Sequence, residues 1–482
     1  MMESDSSSRR VLSRFKSEGG EIVGNLIDLP LEISVDKLQL ICNALLQQEE
    51  ETPFAFFVND KEITNTLGTA VDESTLNTEQ VLDIVYQRQA VFRVRPVTRC
   101  TSSIPGHAEA VTIVNFSPDG QHLASGSGDT TVRFWDVKTQ TPHFVCKGHK
   151  HWVLVLAWSP DGSSLASGCK SGQILLWDPI AGKQKGKQLV GHKQWITSLS
   201  WEPFHRNPDC RKLASSSKDG DVRVWDAILG TCLLVLSGHV QGATCVRWGG
   251  TGLLYSASQD RTIKVWRSND GVLCRTLLGH AHWVNSLTLN TDYVLRTGPF
   301  EPALAGRRGA FNSNQDHREE MLKRATDRYL AVCPNEGDER IVSGSDDFTL
   351  FMWQPEKDKK PLARLTGHQQ LVNDVRFSPD TRLLASASFD KSIKLWDGRS
   401  GSFLGTLRGH VQAVYVISWA ADSRLLVSGS ADSTLKVWNV KKQKLEMDLP
   451  GHADEVYAVD WSPDGLVVAS GGKDKLLRLW QR

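Results

Sequence analysis

The chain has 482 residues, enough for about three average domains and a large core. Its formal charge is +1, from 56 basic and 55 acidic residues, so no global basic field argues for nucleic acid, although a local patch is not excluded. No apolar run approaches the ~20 residues of a membrane span, and the leading MMESDSSSRRVLSRF is polar and acidic where a secretion signal is basic and then apolar; the expectation is a soluble intracellular protein with no membrane partner.

In chain order, residues 1–9 read as a disordered tail, and 10–89 as a small domain of its own. Strands are expected near VLSRF and GNLIDLPLEI, then a helix at DKLQLICNALLQQ, a strand at PFAFFVND, a loop, and a last strand at QVLDIVY. Ser34 or Asp36 caps the helix, and Leu38, Ile41, Cys42, Leu45 and Leu46 fall on one side of it. This ββαββ order resembles the ubiquitin-like β-grasp fold, a small α+β unit. Its last strand runs on into the chain without a Gly-Gly tail, which reads as a docking domain and not a conjugated modifier. The loop before that strand carries three acids, Asp72, Glu73 and Glu79. By residue type alone each is an ordinary solvated carboxylate.

From residue 90 to 482 the chain repeats. Gly-His occurs eight times, at His107, His149, His192, His239, His280, His368, His410 and His452. Each is followed by short apolar runs, an SPDG-like turn, an LASGS-like run and a Trp, at 135, 177, 225, 266, 353, 396, 438 and 480. Spacings between the histidines are 42, 43, 47, 41, 88, 42 and 42, so one repeat is interrupted by an insertion. The alternation is that of antiparallel strands. A lone four-stranded sheet leaves both faces wet; arranged radially, each buries them against two neighbours. GH, SPDG and WD together resemble the WD-repeat family, which implies a mainly β protein built on an eight-bladed propeller. AVFRVRPVTR, residues 90–99, is expected to supply the outer strand of the last blade and close the ring. Its Arg93 and Arg95 alternate with Phe92 and Val94 as in an edge strand.

Most repeats place an Asp about 22 residues after the histidine, or 67 after it where the insertion intervenes, at Asp129, Asp219, Asp260, Asp347, Asp390, Asp432 and Asp474. His, Asp and Ser together suggest a catalytic triad, but a triad does not recur seven times, whereas a buried network that pins each blade must. The sets His107/Asp129/Trp135, His239/Asp260/Trp266 and His410/Asp432/Trp438 represent it. The second repeat, SGCKSGQ, has Cys169 and Ser171 where the first has Ser127 and Asp129, and is expected to be the least tightly pinned. HKH at 149–151 and HAH at 280–282 lack the further ligands a metal needs. Nine cysteines without a Cys-x-x-Cys pair read as reduced packing residues. No phosphate-binding glycine loop and no nucleophile elbow is present, so no enzyme and no cofactor of its own is expected.

All sixteen tryptophans can be assigned a position. Eight end the third strand of a repeat. Five more, at 158, 201, 248, 419 and 461, share a core position with Phe116, Leu289 and Phe377. Trp152, Trp195 and Trp283 remain, each three residues after its histidine, where other repeats have Ala110, Gly242, Leu371, Ala413 and Glu455. That mixture marks a rim position, and exposed Trp there marks a contact surface. A partner protein is the favoured ligand, with RNA stacked beside Lys147, Lys150 and Lys193 as the rival. The insertion, about 295–335, is polar. Met321, Leu322, Ala325, Tyr329 and Val332 predict one amphipathic helix within it.

The ordered set of a ubiquitin-like domain, the linker AVFRVRPVTRCTSSIPGH, and a propeller containing TGLLYSASQDRTIKVW and GHADEVYAVDWSPDG is similar to the Notchless family. That resemblance implies a nuclear and nucleolar assembly factor of the large ribosomal subunit. Its propeller would hold pre-ribosomal proteins and rRNA, and its N-terminal domain would be gripped by the MIDAS domain of the AAA ATPase midasin. It also implies a link to Notch signalling through the Notch intracellular domain. A MIDAS domain holds Mg²⁺ with an open coordination position that a carboxylate from the partner fills. The resemblance assigns that ligand to Glu79, the acid opening the last strand, with Asp72 and Glu73 farther up the loop.

Overall fold

In this computed structural model, which describes residues 10–17, 20–46, 52–59, 61–63, 65–71, 81–89, 92–301, 314–335 and 337–482, the chain divides into two units between Arg93 and Val94. The tail expected at 1–9 lies outside the described residues.

The first unit contains β1 (Arg10–Ser17), β2 (Ile22–Pro30), α1 (Val35–Leu45), β3 (Phe54–Val58), β4 (Lys61–Glu62), α2 (Leu67–Ala70) and β5 (Leu82–Arg88). In β1 the buried Val11, Ser13 and Phe15 alternate with outward neighbours, the period-2 pattern of a half-buried strand. It pairs antiparallel with β2 and parallel with β5, giving the order β2-β1-β5-β3-β4. One face of α1 carries Leu38 and Cys42 into a core with Phe15, Phe56 and Ile84. Each large apolar side chain buried this way contributes roughly 1.5–3 kcal/mol. Burial pushes the Cys42 thiol up to about 12, so it packs and does not react. Ser34 precedes α1 but makes no side-chain capping bond, and its backbone bridges to Thr66 instead.

The second unit holds eight four-stranded antiparallel sheets among its described residues. In blade 1 the strands are Val111–Phe116, His122–Ser127, Thr131–Asp136 and Thr141–Lys147. The first strand of each sheet packs against the first strand of the next, and Val456–Trp461 of blade 8 packs against Val111–Phe116, so the ring is closed. Small residues in the LASGS-like strand make this approach possible. A Cβ on Gly168 would lie 2.6 Å from Ile196 of the neighbouring blade.

The sealing strand differs from expectation. It is β6 (Arg99–Ile104), antiparallel to Leu477–Gln481, with Ile104 opposite Leu477 and Arg99 opposite Gln481. It begins where the expected strand, 90–99, ends. Pro96 has no N–H for a ladder, and residues 92–98 are irregular. Val94 and Val97 turn instead into the apolar cluster around Trp461 and Trp480, and the Val94 N–H donates to Asp422 at 2.8 Å. The alternation of Phe92, Arg93, Val94 and Arg95 thus belongs to an anchoring segment and not to an edge strand.

The insertion falls in blade 5, between Val284–Leu289 and Ile341–Ser345, and its described residues contain two helices where one was expected. The longer, α4 (Asn314–Val332), packs Met321, Leu322 and Ala325 on Phe204 and Cys210 of blade 3, while its Tyr329 ring stacks on His205 at 4.3 Å. The shorter, α3 (Asp292–Thr297), starts where Asp292 accepts from the Leu289 N–H and the Thr288 hydroxyl, both at 2.9 Å. It ends at Gly298, with φ +53°, where a Cβ would meet the Pro160 carbonyl of blade 2 at 2.8 Å. Arg296 of α3 is ion-paired with Asp460 of blade 8, Nη1 to Oδ1 at 3.0 Å. Asp460 also accepts the Phe116 N–H of blade 1 at 2.8 Å. The fully buried Glu339 accepts from the Gly250 N–H, the Thr291 hydroxyl and the Tyr255 hydroxyl, which ties the insertion to blade 4. A chain that leaves blade 5, bonds to blades 8 and 1 and lies close against blade 2 runs across the mouth of the ring. Because α3 follows the far end of the first strand, this mouth is opposite the Gly-His face.

Candidate partner-binding rim of the propeller

The histidines sit at the start of each first strand, and the structure brings them to the acids and tryptophans of their own blade. His107 Nδ1 lies 2.8 Å from Asp129, its Nε2 is 2.7 Å from Ser125, and the Trp135 indole N–H donates to the same Ser125 at 2.8 Å. His239, Asp260, Ser256 and Trp266 repeat this at 2.8, 2.8 and 2.9 Å. His410, Asp432, Ser428 and Trp438 do so at 2.8, 2.7 and 2.8 Å. The blades of His192, His280, His368 and His452 are built alike. Each of these serines is fully buried and bonded to both ring systems, so no substrate atom can reach it.

The aspartate does a second task. In blade 1 its other oxygen accepts the Thr131 N–H at 2.9 Å, which clamps Thr130 in the left-handed region at φ +68°. Arg261, Phe348, Lys391, Ser433 and Lys475 hold the same conformation after their own aspartates. Burial alone would raise these carboxyls, but bonds from the histidine, the following hydroxyl and backbone N–H groups outweigh it. Asp129, Asp260, Asp347 and Asp432 are therefore held well below the usual carboxylate range.

Blade 2 has no such acid. His149 Nε2 still meets Ser167 at 2.6 Å, and Trp177 donates to it at 2.7 Å, but His149 Nδ1 is buried without a partner among the described residues. Ser171 turns to the Cys169 sulfur at 3.0 Å. Burial pushes the His149 ring down to about 4, so it stays neutral. The residue in the left-handed position here is Gly172, which adopts φ +82° without a clamp.

The same Gly-His face carries the three remaining tryptophans. Trp152, Trp195 and Trp283 are 45, 40 and 42% exposed. Each faces the residue before the clamp turn of its blade. The Lys170 N–H donates to the Trp152 carbonyl, the Lys218 N–H to that of Trp195, and the Asp346 N–H to that of Trp283, all at 2.9 Å. Lys170 Nζ lies 5.5 Å from the centroid of Trp152 and 4.3 Å from that of Trp195; Lys218 Nζ is 4.8 Å from Trp195. Trp152 also leans over Gly128 of blade 1, where a Cβ would lie 3.3 Å from the indole. Trp283 stands apart from this row, beside His282 with ring centroids 5.5 Å apart. Sequence reasoning placed Lys147, Lys150 and Lys193 near the tryptophans and missed Lys170 and Lys218, whose only signal was their place one residue before the turn. Glu79, Asp72 and Glu73 lie outside the described residues. Among the described residues no group of three or more His, Cys, Asp or Glu could hold a metal ion.

Comparison with known proteins fits this architecture. Residues 11–71 match the NLE (NUC135) domain, and seven stretches, 98–136, 140–178, 183–226, 230–267, 359–397, 401–439 and 443–481, match the WD domain, G-beta repeat. Protein Notchless of Drosophila melanogaster is 58% identical over 381 residues, which cover 79% of this chain and 77% of that protein. The chain belongs to the Notchless family. Its similarity to other Notchless relatives extends to the Notchless protein homolog of Arabidopsis thaliana, 53% identical with 84% of this chain and 83% of that one covered. Ribosome assembly protein 4 of Saccharomyces cerevisiae is 47% identical, with 80% and 77% covered. Among solved structures, the computationally designed Ika8 protein superimposes with a TM-score of 0.61 at 26% identity, covering 80% of this chain and all of that one. The blade absent from the repeat matches is blade 5, whose insertion separates its first two strands.

Proposed function

We propose that this Notchless-family chain is a noncatalytic assembly factor of the large ribosomal subunit, acting in the nucleus and nucleolus. The observation that carries this reading is the 47% identity to ribosome assembly protein 4 of yeast over 80% of the chain. The propeller serves as anchor on the pre-ribosome through its Gly-His rim. The N-terminal unit serves as the handle for the MIDAS domain of midasin, with Glu79 as the carboxylate offered to the partner's Mg²⁺. The repeat histidines and their serines are held in buried clamps, which supports a binding role and not chemistry.

Two measurements test it. Glu79→Ala is expected to abolish Mg²⁺-dependent binding of a midasin MIDAS domain while leaving the thermal melt of the full chain unchanged; retained binding removes Glu79 from the site. In cell extracts the chain is expected to co-sediment with large-subunit precursors. A second reading, a WD-repeat adaptor of Notch signalling that contacts the Notch intracellular domain, is favoured by the name of the fly relative. Its signature is co-purification with that domain and absence from the precursor fractions.

A further inference from the structure

Around the Gly-His rim, each blade presents two side chains joined through their backbones: the residue entering the first strand and the residue before the clamp turn. The pairs are Ala110/Gly128, Gly242/Gln259, Leu371/Phe389, Ala413/Ala431 and Glu455/Lys473 on blades 1, 4, 6, 7 and 8, and Trp283/Asp346 on blade 5. Only the adjacent blades 2 and 3 pair a tryptophan with a lysine. Side by side they make one row, Trp152, Lys170, Trp195, Lys218, in which a single ammonium touches both indoles. Lys150 and Lys193, at the first position after each histidine, are exposed beside it. Among the described residues none of these four lysines is ion-paired, in a chain whose net charge is only +1. The neighbouring sector is different: Glu109 lies 3.8 Å from Lys475, and Asp454 pairs with Lys473 at 3.4 Å.

We propose that this row is a docking site for single-stranded RNA, a reading that rests on the propeller being the anchor for a ribosomal precursor. An ammonium over an exposed indole is held weakly in water and exchanges readily for a phosphate, which binds it by charge. When a strand approaches, its phosphates draw Lys170 and Lys218 off the rings, and the freed indole faces accept consecutive bases by stacking. Double-stranded RNA would satisfy the lysines but leave the indoles without planar partners, and an acidic peptide would do the same. Alternating cations and flat rings match a chain that alternates phosphates and bases.

The test uses the purified full chain and short fluorescein-labelled oligoadenylate and oligouridylate, read by anisotropy and by tryptophan fluorescence. Binding is expected to quench that fluorescence. Trp152→Ala and Trp195→Ala are each expected to weaken it by roughly 5- to 150-fold. Lys170→Gln is expected to reduce the slope of log affinity against log salt by about 0.7. Val411→Ser, at an exposed rim position of blade 7, is expected to bind like the parent. The proposal is overturned by no binding at low salt, by equal binding in tryptophan variants that melt at the parental temperature, or by tighter binding of a polyglutamate peptide or a duplex of the same length. If the oligonucleotides fail while the chain still co-sediments with large-subunit precursors, the RNA site falls and the assembly reading stands. If oligonucleotides bind while co-sedimentation is lost, the RNA site stands and the assembly reading falls.

Discussion

Blade 2 and blade 5 both depart from the repeat, in opposite ways. Blade 2 has an ordinary length and matches the repeat family at residues 140–178, yet it has lost the acid of its clamp and leaves His149 Nδ1 buried without a partner. Blade 5 has no repeat match, because two helices separate its first and second strands. Its clamp is nonetheless complete, with His280 Nδ1 2.9 Å from Asp347 and Nε2 2.7 Å from Ser343. Strand spacing and clamp chemistry are therefore separable. An insertion on the face opposite the histidines leaves the hydrogen bonds of the histidine face untouched, whereas one side chain on that face removes the histidine Nδ1 partner and keeps only the Nε2–Ser–Trp bonds.

The comparison can be broken most directly in blade 5. Asp347→Ala strands His280 Nδ1 and the backbone N–H groups of Ala281 and Thr349, and is expected to lower stability by about 1–3 kcal/mol in denaturant unfolding. It also releases Phe348 from its left-handed clamp. A cost no larger than that of Ser171→Ala in blade 2 would mean that the clamp contributes nothing. A smaller effect of opposite sign is expected from Ser171→Asp, which turns Lys-Ser-Gly into the Lys-Asp-Gly of blade 3 and gives His149 the partner it lacks. It should raise stability by about 1 kcal/mol, read as a higher melting temperature.

Acid titration gives the finest separation. The clamp aspartates have folded values below their unfolded ones, so their contribution is present above the unfolded value of about 4 and is lost as pH falls through the folded values. His149 is also lowered, from 6.5 to about 4. The unfolded chain takes up its proton first, so this contribution is whole above pH 6.5 and is lost as pH falls to about 4. Stability measured between those limits should decline with acid in the parent and decline less in Ser171→Asp. Equal slopes would show that His149 is not the group that titrates there.

Much of this was legible in the sequence. Repeat number, blade count and the weak clamp of blade 2 follow from the spacing of Gly-His and Trp and from Ser171 standing where Asp129 stands in blade 1. The sealing strand was misplaced because AVFRV alternates more clearly than RCTSSI does. An outermost strand has one wet face, so Ser102 and Ser103 hide its register, while Pro96 in the more regular stretch forbids a ladder there. Helix α3 spans six residues, too few to show a period, and its role depends on Arg296 meeting Asp460 from 164 positions away. The lysine and tryptophan row was hidden in the same way. Each indole is covered by a lysine that follows it by more than one strand, and Lys170 reaches a ring of the next blade.

The placement of α3 bears on how the ring carries load. Blade 8 is the seam, where β6 from one end of the propeller is held to Leu477–Gln481 from the other by ladder hydrogen bonds and by the packing of Ile104 with Leu477 and Leu479. Tension on the polypeptide ahead of Val94 would meet the Val94 and Val97 anchor first and then that strand. Asp460 belongs to the same blade, and Arg296 ties it to blade 5, while Asp460 also grips the first blade beyond the seam. The insertion thus acts as a strut across a hoop: parting blade 8 from blade 1 must also break the bond from the Phe116 N–H to Asp460, a carboxylate that Arg296 braces from blade 5, so strain spreads over several blades before any one of them yields.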